Sequence, residues 1–133
     1  MIINNTIVYA LLGLIYLSKN QQRSIKISEI AEKETISVSF LQKVFQTLSR
    51  AKIVKATFGP HGGFQLARPA DKITLYQVVK AVKPEDDNFA KGLAREVSKH
   101  RDGKLLINFL FHVRNDFLYY LKSVTLSDLI FHK

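Results

Sequence analysis

Counted from Ser39, the residues Gln42, Lys43, Gln46 and Arg50 fall at i+3, i+4, i+7 and i+11. On a helix that spacing gathers them on a single face. A hydroxyl, two amides, an ammonium and a guanidinium supply the donors and acceptors that pair with base edges and phosphates. Gln42 and Lys43 suit base edges, while Ser37, Ser39 and Arg50 suit phosphates. Further on, Gly59-Pro60-His61-Gly62-Gly63 reads as a loop tip. Its glycines, Gly59, Gly62 and Gly63, let the backbone come close to a phosphate. Lys52, Lys55, His61 and Arg68 surround that tip with charge, and Ser28, at the head of the preceding helical segment, joins the contact set.

Other chemistry is poorly supplied. The chain has no cysteine, which excludes disulfides, thiol catalysis and every Cys-ligated zinc or iron–sulfur site. The histidines are His61, His100, His112 and His132, with no HExxH pattern among them. His61 is expected at a phosphate or minor groove, and His112 in an interface. His100 stands four residues after Glu96 and could hold a metal with it on one helical face, but that use is not expected. The loop tip lacks the Lys-Ser/Thr that would follow in a nucleotide loop. No nucleophile–base pair is apparent. Neither enzyme activity, metal nor cofactor is expected.

These residues need elements to hold them. Asn5 or Thr6 can cap a helix to about Ser18 that is apolar nearly all round, hence central. Ser28 can cap a short helix over 29–34 with Ile30 and Ala31 inward, and Thr35-Ile36 forms a tight turn. Ser37 caps the next helix, whose Leu41, Val44, Phe45 and Leu48 fall at i, i+3, i+4 and i+7. Ile53–Phe58 and Phe64–Leu66 read as two short strands around the glycine tip. Thr74-Leu75-Tyr76-Gln77 is a capping box opening a helix to about Val82. Helix, short helix, turn, amphipathic helix and hairpin in that order make a winged helix-turn-helix. In that fold the second helix of the pair enters the major groove.

The charge agrees with a polyanionic partner. The net charge of the 133 residues is +9. Residues 1–83 hold 12 Lys+Arg against 4 Asp+Glu, a net of +8, and the remainder is close to neutral. Such a field draws phosphates; solubility and attraction to an anionic membrane surface are its other uses. The longest apolar run, Ile7–Leu17, is too short to cross a bilayer. No basic stretch precedes it, so a cytoplasmic address and no membrane partner are expected.

The boundary segment Lys83-Pro84-Glu85-Asp86-Asp87-Asn88 leads into a polar, weakly helical stretch over 89–103 and then a strongly apolar helix from Lys104 to about Ser123. Leu106, Leu110, Val113, Phe117 and Val124 suffice to pack on their own domain. The excess apolar surface marks a homodimer interface, drawn from Leu106, Phe109, Leu110, Val113, Phe117, Tyr120 and Leu121. Thr125-Leu126-Ser127-Asp128 is a second capping box.

Four stretches together resemble the Rrf-two family of bacterial winged-helix transcription regulators, the IscR-, NsrR- and CymR-like proteins. They are Ile27-Ser28-Glu29-Ile30-Ala31-Glu32, Ile36-Ser37-Val38-Ser39-Phe40-Leu41, the run from Gly59 to Pro69, and Ile73-Thr74-Leu75. The closing Thr125-Leu126-Ser127-Asp128-Leu129 resembles that family's end. The resemblance implies a homodimer on a palindromic double-stranded operator. It also implies that Ser39, Phe40, Gln42 and Lys43 stand where family members read bases. Three departures matter. The segment 84–103, the family's sensor position, has no cysteine, so this is a member without an iron–sulfur cluster. Phe58 stands where an arginine is frequent, and Phe40 where a tyrosine is usual.

The expected architecture is therefore mainly α with a small β-wing. A winged helix-turn-helix DNA-binding domain spans 1–83, a linker at the sensor position 84–103, and a dimerisation helix with C-terminal turn 104–133. The expected function is a DNA-binding transcription regulator, a repressor acting as a homodimer. Two alternatives remain open at this stage: a winged-helix module that recognises a protein, and a regulator whose small-molecule effector binds at the dimer interface.

Overall fold

The computed structural model describes residues 5–83 and 87–131, with the side chains of the second stretch described from residue 91. Helix α1 (Asn5–Lys19) is central. Its Ile7, Ala10, Leu14 and Leu17 are buried. Gly13 lets it approach its neighbour closely: a Cβ there would lie 2.5 Å from the ring of Phe45. Asn5 and Thr6 are inside the helix, not capping it as the sequence suggests.

Helix α2 (Ile27–Glu34) begins one residue before Ser28, with Lys26 at the cap and no side-chain cap bond. Ser28 is therefore an exposed first-turn residue, which corrects the capping role expected of it. The helix ends on Thr35, held left-handed at φ 55°, and Ile36 N–H donates back to the Ala31 carbonyl at 2.9 Å. That closure turns the chain into α3 (Val38–Arg50). Ser37 caps α3, its hydroxyl accepting from Phe40 N–H at 3.4 Å. Leu41, Val44, Phe45 and Leu48 are all buried, as their spacing requires.

Strands β1 (Val54–Thr57) and β2 (Gly63–Leu66) pair antiparallel, with Val54 opposite Leu66 and Thr57 opposite Gly63. The ladder ends at Thr57, one residue short of the expected strand end at Phe58. A third, one-residue strand was not foreseen. Ile25 exchanges both backbone bonds with Phe64, at 2.9 and 2.8 Å. Gly63 makes this possible: its φ is +152° and a Cβ would collide with the Ile25 carbonyl. Phe64 then packs edge-on to Phe45, ring centroids 5.3 Å apart, tying the hairpin to α3 and α1.

After a 3-10 turn at Ala70–Lys72, the Thr74 capping box opens α4 (Leu75–Val82), with both reciprocal bonds present. Helix α5 spans Asp87–Val97, giving regular structure to a stretch expected to be only weakly helical. Helix α6 (Gly103–Ser123) carries the apolar surplus. The capping box at Thr125 is also formed, Thr125 N–H donating to Asp128 Oδ2 at 2.9 Å and Asp128 N–H to Thr125 Oγ1 at 3.2 Å. It starts α7 (Leu126–Phe131). The chain end is stitched to the front: Leu75 N–H bonds the Val124 carbonyl and Leu126 N–H the Ile73 carbonyl. Leu126 is fully buried in the main core beside residues of α1 and α3.

Helix α6 departs from its expected inward face. Leu106 and Val113 are 51% and 50% exposed, so neither is packed on its own domain. Leu121 is 5% exposed and sits with Ile7 and Val79, which corrects its assignment to a subunit interface. Phe117 leans on the same cluster.

Candidate nucleic-acid interface

The capped start of α3 and its outward face form one side of the candidate site. Gln42, Lys43, Gln46 and Arg50 are exposed, opposite the buried stripe of the same helix. Burial of that stripe fixes the rotation of α3, so the polar face has no choice of direction. Ser37 and Ser39 stand at the N-terminus with their hydroxyls 3.0 Å apart. Arg50 donates to Thr47 Oγ1 at 3.2 Å, which holds its guanidinium along the helix. Phe40 is 38% exposed. Its ring meets Tyr9 of α1 edge-on at 5.5 Å, so it braces α3 as well as facing outward.

The other side is the hairpin. Gly62 N–H closes the tip onto the Gly59 carbonyl at 2.9 Å. Gly59 is exposed, while Gly62 is buried beneath the Thr57 carbonyl and Gly63 is held by the Ile25 bridge. Of the three glycines expected to admit a phosphate, then, Gly62 and Gly63 shape the turn and only Gly59 presents an exposed backbone. His61 is exposed at the tip.

Two grooves flank the hairpin. The one toward α3, about 630 Å³, is lined by Lys26, Gln42, Gln46, Arg50, Phe58 and Gly59 among others. The one on the opposite side, about 1110 Å³, draws Lys52, Lys55, Arg68 and Lys80 together with Phe58. Arg68 is half-buried: one guanidinium nitrogen reaches the Lys72 carbonyl at 3.5 Å, and its buried Nε lacks a partner. Lys80 joins the expected Lys52, Lys55 and Arg68 in this basic groove. Lys80 was missed because it belongs to α4, distant in sequence. Ser28 is exposed on α2 but lines neither groove.

The scaffold under α2 is electrostatic. Arg23 donates both terminal nitrogens to Glu29, at 2.9 and 2.7 Å, and Tyr16 donates its hydroxyl to the same carboxylate. The Arg23 bonds, then the Tyr16 bond, bring the Glu29 carboxyl from about 4.5 down to about 2. Tyr16 is pushed up chiefly because its proton is held by Glu29.

A helix pair with a polar recognition face, flanked by a cationic hairpin, defines a winged-helix DNA-binding regulator. The family model described as Rrf2, iron-dependent transcriptional regulator, matches residues 3–132. The chain belongs to the Rrf2 family. A candidate HTH-type transcriptional regulator of Aquifex aeolicus is 33% identical over 135 residues, covering 98% of this chain and 92% of its own. The HTH-type transcriptional regulator IscR of Cereibacter sphaeroides is 31% identical, covering 92% and 82%. The crystal structure of oxidized Staphylococcus aureus CymR has the same fold, with a TM-score of 0.78 at 24% identity over 98% of this chain and 97% of that one. These are transcriptional regulators, not enzymes. The iron in the family's description has no cysteine ligand in this chain, and among the described residues no three His, Asp or Glu side chains gather into a metal-binding group. No helix among the described residues is long and apolar enough to cross a membrane.

Proposed function

We propose that this regulator acts as a homodimeric repressor on a palindromic operator, without a cluster. Helix α3 lies in the major groove with Gln42 and Lys43 at base edges, and Ser37, Ser39 and Arg50 hold the flanking phosphates. The wing rests on the backbone through Lys52, Lys55 and Arg68. The observation that carries this reading is the joining of α3's exposed polar face to a hairpin whose outer groove is lined by four cations. Two such heads, one turn of duplex apart, read two half-sites, and a promoter so occupied is closed to polymerase. The dimer reading is supported by α6, which leaves Leu105, Leu106, Phe109, Val113, Tyr119 and Tyr120 exposed along one chain. The test is selection of binding sites from random duplex DNA by the full chain, with and without small molecules from cell extract. Inverted repeats with half-sites about ten base pairs apart are expected. Enrichment of single sites, or of none, would contradict the proposal.

A further inference from the structure

We propose that Phe58 is an apolar wedge that enters the minor groove and opens one base step of the bound duplex. The proposal rests on the DNA-binding reading above. Phe58 is 90% exposed, the most exposed of the large apolar side chains described. Its position follows from the backbone. The β1–β2 ladder stops at Thr57, so no strand lies opposite Phe58. The next residue, Gly59, is left-handed at φ +101° and turns the chain away. The ring therefore stands on the crest between the two grooves and lines both. The other aromatic of the hairpin, Phe64, packs inward on Phe45, so the wing has one anchoring ring and one outward ring.

The surroundings select the occupant. Here the flanking residues are Lys55, Ala56, Thr57, Gly59, Pro60 and His61, with Arg50 in one groove and Lys52, Arg68 and Lys80 in the other. An exposed ring above grooves floored by Ile53, Val54, Ala56 and Ala67 and edged by cations, with no carboxylate lining either groove, matches a ligand that is anionic outside and apolar within. Duplex DNA is that ligand: phosphates meet the cations and the base stack meets the ring. Apolar side chains inserted from the minor groove unstack and kink the duplex, most easily at pyrimidine–purine steps.

The test uses the full chain and a duplex taken from the random pool. Each adenine is replaced in turn by 2-aminopurine, whose fluorescence rises when its neighbour unstacks. The native chain should raise the signal several-fold at one step beneath each wing. Phe58→Ala should lose that rise and bind roughly tenfold more weakly, keeping the base preferences carried by α3. Phe58→Leu should keep part of the rise. Phe58→Arg should restore affinity, steepen the salt dependence by about one unit, and give no rise. An unchanged signal in Phe58→Ala, or equal affinity of native and Ala chains with no rise in either, overturns the wedge and leaves DNA binding intact. Failure of the native chain to bind any duplex in a salt-dependent way overturns both.

Discussion

Glu29 accepts three hydrogen bonds from two directions, and its chemistry sets a pH window for the whole helix pair. Its folded value lies near 2 against about 4.5 for an ordinary carboxyl. A depressed acid stabilises the fold above its unfolded value and loses that contribution as pH falls through its folded one. The contribution should be complete above about pH 4.5 and fade toward pH 2. Urea midpoints of native and Glu29→Gln chains should differ by about 1 kcal/mol at pH 7, the size of a well-aligned exposed ion pair, and converge by pH 2. A gap that persists at low pH would mean the bonds to Glu29 matter through shape alone. Thr35 gives the opposite case. A β-branched residue at φ 55° is strained, so Thr35→Gly should raise stability by about 0.5–1 kcal/mol despite glycine's greater entropy when unfolded. Thermal or urea unfolding reads this directly, and a destabilised variant would show that the Thr35 side chain contributes more than its backbone costs.

At the level of elements, α3 and the hairpin divide specificity from affinity. Gln42→Ala with Lys43→Ala should lose about 1–3 kcal/mol of discrimination per base contact, measured by competition between selected and scrambled duplexes. Preserved preference would move base reading elsewhere on the helix. Lys55→Ala or Arg68→Ala should weaken all sequences alike and flatten the salt slope by about one unit each. What was legible in the sequence was local. The Ser37 cap, the Leu41–Leu48 stripe and both capping boxes are patterns within a few residues, and the structure carries all of them. The misplaced start of α2 is a matter of two residues, Ile27 in place of Glu29, since Lys26 stands at the cap with no side-chain bond to mark it. The Ile25 strand left no trace because one bridging residue has no period. In α6, apolar residues nearly encircle the helix, so the sequence could not tell Leu121, which is buried, from Leu106, which is not. Only the position of α1 and α4 decides that.

For the molecule as a whole, the exposed apolar residues of α6 demand a cover. The native chain should sediment as a dimer at micromolar concentration. Phe109→Glu with Tyr120→Glu should give a folded monomer, because both side chains face outward. That monomer should bind a two-half-site duplex at least about a hundredfold more weakly, since the second head no longer engages within the same complex. A native monomer in the ultracentrifuge would remove the dimer and with it the palindromic operator.

The stitch between Val124–Leu126 and Ile73–Leu75 takes on mechanical meaning in such an assembly. It clamps the far end of α6 to the very start of α4, with Leu126 driven into the core like a peg. Two backbone hydrogen bonds and a fully buried side chain hold that joint. A few degrees of scissoring where two α6 shafts cross would swing both reading heads as rigid arms, altering the gap between them.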